Sequence, residues 1–299
     1  MVDELMGDEL TNATADCVPE GSERTGASPD AIISHYDRGE DFFGLVLGPE
    51  LIYSCALFEG DDDLASGQRR KLDYHIRSAG ASNVARVLDI GCGWGAMLRR
   101  LVDHAGVANA VGLTLSPSQA RWIRDHPRSG VQVVEQDWRD HKPDQRYDAI
   151  VSIGAFEHFV QKGLDPARKL DAYREFFAFC DRVLVTGGRI SLQTIAYSER
   201  HKPHPLLEKT FPESDLPLTW EPIAAAEGRF ELMGLRNDRD DYYQTLRLWE
   251  QNLLKQRAQA VSLVGEATVA EFHRYLRLSA MGFRMGMVSL LRMSFLKKY

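Results

Sequence analysis

From about residue 85 onward, short apolar runs alternate with stretches of helical character, and this alternation leaves few folds open to the chain. Residues 85–90 (ARVLDI) read as a buried strand leading through a Gly-rich turn into a helix over 94–104. Residues 110–113 form a second strand that opens into a helix over 117–126, with Pro117 suited to its first turn. Strands over 131–134 and 149–153 follow. Next come an amphipathic helix over 170–183, stopped by Gly187 and Gly188, and a strand over 189–195. Such a succession predicts an α/β architecture: a mostly parallel sheet with helices on both faces.

The pattern breaks after Ile195. Residues 197–230 are rich in Pro, His and charge, as expected of an ordered insertion or lid. Helices are expected over 244–263 and 267–281, then a last strand over 285–293. Stretches 31–47 and 68–78 read as helices that cover the sheet. With 299 residues and 44% hydrophobic content, one elaborated domain over 31–299 accommodates all of this. Within it, 31–84 form an N-terminal helical cover and 197–284 the lid and substrate-binding helices.

The net charge of −7 sits in residues 1–30, which carry eight acids against Arg24 alone. The remaining chain is formally neutral, so a nucleic-acid partner is not expected. The acidic stretch reads as a disordered leader. No window is apolar enough to span a membrane and the N-terminus lacks signal-peptide character, so a cytoplasmic location is expected. A homo-oligomer is compatible with these features. Cys17, Cys55, Cys92 and Cys180 lack ligand or disulfide spacing, and no metal is expected.

The chemistry concentrates at Asp89-Ile90-Gly91-Cys92-Gly93-Trp94-Gly95, between the first strand and its helix. Glycines there let the backbone turn tightly and approach a ligand beside free helix N-terminal amides. A dinucleotide site would want GxGxxG and an acid ending the second strand, which instead ends Gly112-Leu113-Thr114-Leu115-Ser116. Asp89 directly before the glycines fits S-adenosylmethionine (SAM) better.

Seven blocks in order give the chain a resemblance. HYDRGEDFF (35–43), YSCALFE (53–59), VLDIGCGWGA (87–96), GLTLSPSQ (112–119), IVSIGAFEHF (150–159), YYQTLRLWE (242–250) and FRMG (283–286) resemble the cyclopropane fatty acid and mycolic acid synthase family. The resemblance implies a Rossmann-like SAM-methyltransferase fold with a seven-stranded sheet and a helical or irregular lid. It places Tyr53 and Ser54 at the amino-acid end of SAM, with Asp89, Gly91, Cys92 and Gly93 beside its methionine and ribose. Thr114, Leu115 and Gln119 would hold the ribose and adenine region, and Asp137 and Trp138 the adenine, with Trp138 stacking on its face.

Family members also hold a bicarbonate, which acts as base, through a Cys amide, a Glu, a His and a Tyr. Cys55, Glu157 and Tyr242 match; the histidine position carries Gln193, and Arg292 stands where relatives often have Gln. Gln cannot carry charge at neutral pH, so bicarbonate is held differently or the base is Glu157, His158 or Tyr242. The implied reaction is C-methylation of an alkene through a carbocation, closing by proton loss to a cyclopropane or a methylated alkene. Tyr36, Phe43, Phe58, Phe156, Phe159, Tyr197 and Trp220 are candidate walls for that cation. The acceptor would be an unsaturated lipid chain or a small isoprenoid diphosphate gripped by Arg200, His201, Lys202 and His204. The rivals are N- or C-methylation of a specialised metabolite and SAM binding without transfer.

Overall fold

A computed structural model describes Gly26 and residues 39–60, 62–198 and 215–298. The helices are α1 (Glu40–Leu47), α2 (Leu64–Ala79), α3 (Ala96–His104), α4 (Pro117–Asp125), α5 (Pro166–Val183), α6 (Glu221–Ala226), α7 (Arg239–Lys255), α8 (Arg257–Val264) and α9 (Glu266–Arg284). The strands are β1 (Arg86–Ile90), β2 (Asn109–Thr114), β3 (Val131–Glu135), β4 (Tyr147–Ile153), β5 (Leu184–Tyr197), β6 (Phe230–Asn237) and β7 (Val288–Lys297).

They form one sheet in the order β3-β2-β1-β4-β5-β7-β6. The first five strands run parallel, and β7 inserts antiparallel between β5 and β6. Strand order reverses between β1 and β4, so the carboxyl ends of those two strands define the crevice where such sheets bind ligands. Local chemistry sets the helix starts. Ser116 accepts the Gln119 amide ahead of Pro117, and Asp165 accepts the amides of Ala167 and Arg168.

Three apolar clusters hold the layers. One packs α5 and α6 on one sheet face, with Phe156, Tyr173, Phe176 and Phe177 fully buried. A second packs α2, α3 and α4 on the other. The third joins α1, α7, α8 and α9 beyond the strand ends around Phe42, Phe43, Trp249 and Phe272.

The expected α/β fold is present, with four differences in its elements. The helix expected over 244–263 is two, because Gln256 leaves helical geometry (φ −111°, ψ 21°) while its side chain donates to the Leu45 carbonyl at 2.7 Å. β5 starts at Leu184 and runs through Gly187 and Gly188, which do not stop the helix; α5 ends before them. The last strand begins after a turn at Gly286 (φ +72°). β6 lies inside the stretch assigned to lid and helices. It is an edge strand on which only Phe230 is buried, so it carries no alternating pattern. Tyr36, the basic cluster Arg200, His201, Lys202 and His204, and the acidic leader apart from Gly26 lie outside the described residues.

Candidate active site

Beyond the ends of β1 and β4 a cleft opens, with about 160 Å³ available to the centre of a water molecule. Every residue expected at the cofactor lines it: Tyr53, Ser54, Asp89, Gly91, Cys92, Gly93, Thr114, Leu115, Gln119, Asp137 and Trp138. Gly91 and Gly93 have different jobs. At Gly91 (φ +81°) a Cβ would lie 2.4 Å from that of Ala155, so the turn after β1 packs against the turn after β4. At Gly93 (φ +54°) a Cβ would meet nothing within 4 Å, which leaves the backbone bare beside the cleft.

The cleft's two ends differ in charge. At one end Thr114 Oγ1 donates to Gln119 Oε1 at 2.8 Å, near Gln136 and Asp137, a neutral-polar and hydroxyl-reading set. At the other, Lys71 Nζ donates to Ser54 Oγ at 2.8 Å and Asp89 lies close by. Lys71, Asp89 and Ser54 are all buried. Burial lowers the Lys71 pKa and raises that of Asp89, each opposed by the other's charge.

Trp138 lines the cleft with most of its ring packed against neighbours. One face is covered by the Arg139 guanidinium, 4.2 Å from the ring centroid, and Phe159, Phe176 and Phe179 surround the rest. Gly26, in the supposed leader, is buried at the cleft and accepts from Gln161 Nε2 at 2.6 Å.

Of the candidate catalytic residues His158 lines this cleft, whereas Glu157, Cys55, Gln193 and Tyr242 do not. Glu157 and His158 occupy the single turn after β4, and His158 lines the cleft. Burial pushes His158 down to about 4, so it is a neutral imidazole. Glu157 Oε1 accepts the Ile195 amide at 2.6 Å, while Oε2 is buried and has no partner among the described residues. Burial pushes its pKa up to about 7, against the opposing pull of the Ile195 amide.

Ile195, Cys55 and Tyr242 share the third apolar cluster, where Tyr242 packs on Phe283 at 4.5 Å. Burial raises the Cys55 thiol to about 12, which excludes a thiolate nucleophile at neutral pH. Of the candidate wall residues, Phe43 packs on Tyr53 and Trp94, and Phe159 lines the cleft. Phe156 is instead core, stacked on Tyr173 at 4.4 Å, Phe58 lies against Gly67, and Trp220 is half exposed.

Gln193 and Arg292, the two departures from the family pattern, are direct partners. They pair in register across β5 and β7, and Arg292 Nε donates to Gln193 Oε1 at 2.9 Å. The fully buried guanidinium also donates to the Cys55 and Ala56 carbonyls at 3.2 and 2.8 Å and pairs with Asp238. His75 Nε2 lies 3.4 Å from the same Gln193 oxygen, and its Nδ1 is 2.8 Å from Ser191 Oγ. Arg292 thus braces the turn that carries Cys55, and the Gln193 side-chain carbonyl is already engaged. Sequence reasoning passed over Gln68, Lys71 and His75 on α2. Their spacing puts three polar residues on the buried face of one helix, a signal present in the sequence.

The chain matches the family described as Mycolic acid cyclopropane synthetase over residues 24–293. It is 34% identical over 279 residues to Cyclopropane mycolic acid synthase 1 of Mycobacterium tuberculosis, an alignment covering 85% of this chain and 92% of that protein. Its fold is similar to the cyclopropane synthase MmaA2 from Mycobacterium tuberculosis (TM-score 0.82, 29% identity, covering 91% and 99% of the two chains). It is also similar to mycolic acid cyclopropane synthase CmaA1 complexed with SAH and CTAB (TM-score 0.79, 31% identity, covering 92% and 100%). A cleft lined by all the expected cofactor residues, a bare glycine backbone beside it and matches along nearly the whole of these relatives converge. The chain belongs to the mycolic acid cyclopropane synthetase family and is a SAM-dependent methyltransferase.

Proposed function

We propose that this enzyme methylates a carbon of an isolated double bond in a lipid acyl chain, and that Glu157 accepts the proton lost from the resulting carbocation. The observation that carries this reading is the carboxylate itself: buried in the turn after β4, next in sequence to the cleft-lining His158, with one oxygen held by the Ile195 amide and the other unpartnered among the described residues. Bound SAM supplies a methyl group made electrophilic by its sulfonium. Ser54, Asp89, Gly93, Thr114 and Gln119 would hold it, and the fit rests on their shared cleft and the open space at Gly93.

The chain's own residues do the rest. The aromatic cluster of Phe43, Tyr53, Trp249, Tyr242 and Phe283 offers ring faces to a cation and keeps water out. A carboxylate with a pKa near 7 is matched to taking a proton at neutral pH. Loss of that proton from the transferred carbon closes a cyclopropane; loss from a neighbouring carbon leaves a methylated alkene. The relatives named for cyclopropane mycolic acid synthesis, and CmaA1 with SAH and CTAB, favour a lipid chain over a small charged acceptor.

Bicarbonate does not fit here as the resemblance implies. The Gln193 oxygen is occupied by Arg292 and His75, and an amide cannot replace the imidazole's charge. The proton goes to Glu157 directly, and no step uses the ion.

The test is release of SAH from SAM in the presence of phospholipids that differ only in one cis double bond. Turnover is expected with the unsaturated chain and not with its saturated counterpart. Equal turnover, or turnover only with amines, would overturn the assignment.

A further inference from the structure

We infer that Lys71 recognises the carboxylate at the amino-acid end of SAM, making it the residue by which this cleft selects a zwitterionic cofactor. Lys71 sits in the middle of α2, is 1% exposed, and reaches the cleft wall with Nζ on Ser54 Oγ at 2.8 Å. One turn earlier, Gln68 Nε2 donates to the Ser54 carbonyl at 2.8 Å, so α2 fixes residue 54 by both its backbone and its hydroxyl.

Asp89, at the end of β1, lines the same recess. The two charges feel each other, yet no direct ion pair joins them among the described residues. A buried ammonium whose direct partner is only a hydroxyl is costly for a fold to keep. A cation and an anion set side by side without closing on each other match a ligand end that carries both an anion and a cation. The opposite end of the cleft, with Thr114, Gln119 and Gln136, suits neutral hydroxyls and ring nitrogens instead. Charge therefore fixes the cofactor's direction: carboxylate toward Lys71 and Ser54, ammonium toward Asp89, nucleoside toward Thr114 and Gln119.

The inference rests on the cleft being the SAM site and not on the identity of the methyl acceptor, so binding alone tests it. SAH and its decarboxylated analogue, which keeps the amine, are titrated calorimetrically into the full chain and into Lys71→Met. The wild type is expected to prefer SAH by at least ~10-fold, the scale of one lost charge-assisted hydrogen bond. Lys71→Met should weaken SAH by a similar factor, leave the analogue nearly unchanged, and so erase the preference. Equal losses for both ligands would show that Lys71 only braces residue 54, and would overturn the inference. If Lys71→Met does not fold, the wild-type comparison still decides, since equal affinity for the two ligands is incompatible with carboxylate recognition. An inactive enzyme that still discriminates the ligands would count against the proposed acceptor and leave this inference standing.

Discussion

At Glu157 the two carboxylate oxygens have unequal surroundings. Oε1 takes the Ile195 amide and Oε2 takes nothing among the described residues; burial raises the group to about 7 against the lowering pull of that amide. That shift has a cost with a definite sign. The folded state holds this proton up to about pH 7, whereas a free glutamate side chain titrates near 4.5. The group's contribution to stability is therefore full below about pH 4.5, is lost as pH rises toward 7, and is level above that. The loss amounts to roughly 3 kcal/mol at most. Glu157→Gln should remove this slope from urea-denaturation curves recorded across that window. The same variant should lower turnover by ~10²-fold or more while SAH affinity stays near wild type. A variant with full turnover, or one whose only defect is weaker SAH binding, would make Glu157 a structural or cofactor contact.

At the scale of elements, the β5–β7 pair explains how a site lacking the family's histidine is held together. Gln193 and Arg292 act as one unit, because the guanidinium on β7 fills the amide oxygen facing it on β5. Gln193→His alone brings an imidazole against a buried guanidinium and should destabilise the fold. Adding Arg292→Gln should recover part of that loss, because Asp238 keeps Arg236 as a partner. Denaturation of the two singles and the double should give a coupling of at least ~1 kcal/mol. Strict additivity would mean that the two positions act independently.

The same pair marks what was legible in the sequence. The parallel half of the sheet could be read because strand–helix alternation is a local signal, and the eleven expected cofactor residues came from the Gly-rich turn and the family resemblance. The antiparallel half was harder. β6 is an edge strand with Leu232, Met233 and Leu235 exposed, and it leaves no periodicity to find. Trp138 matched its motif, but its ring is held by α5 phenylalanines, a tertiary contact that no motif encodes. Arg292 stood out as a departure from relatives; only the register with Gln193 gave it a role.

Over the whole molecule, the sheet's switch point, α2 behind residue 54 and the helices α7 and α9 meet at one place. The cofactor cleft and the third apolar cluster adjoin at the carboxyl ends of the strands, where they share Leu51, Tyr53 and Trp94. The N-terminal stretch belongs to this assembly at one residue at least, since a Cβ at Gly26 would come within 3.1 Å of the His158 carbonyl oxygen. Deleting residues 1–23 should leave SAH affinity unchanged, whereas deleting 1–30 should weaken it by roughly 10-fold through loss of the Gln161 contact. Equal affinities for the two truncations, measured by calorimetry, would take Gly26 out of the site.

Among the described residues no helix is long and apolar enough to cross a membrane. The central claim is that carbon of an alkene receives the methyl group and that the enzyme then removes a proton. Transfer from SAM carrying a trideuterated methyl group to a phospholipid with one cis double bond tests this most directly, with the product read by mass spectrometry and NMR. The account predicts the label on the former alkene carbons, as a deuterated methylene if a ring closes or an intact trideuteromethyl if an alkene forms. Label on a nitrogen or oxygen of the acceptor, or SAH release with no label in the acyl chain, would contradict it.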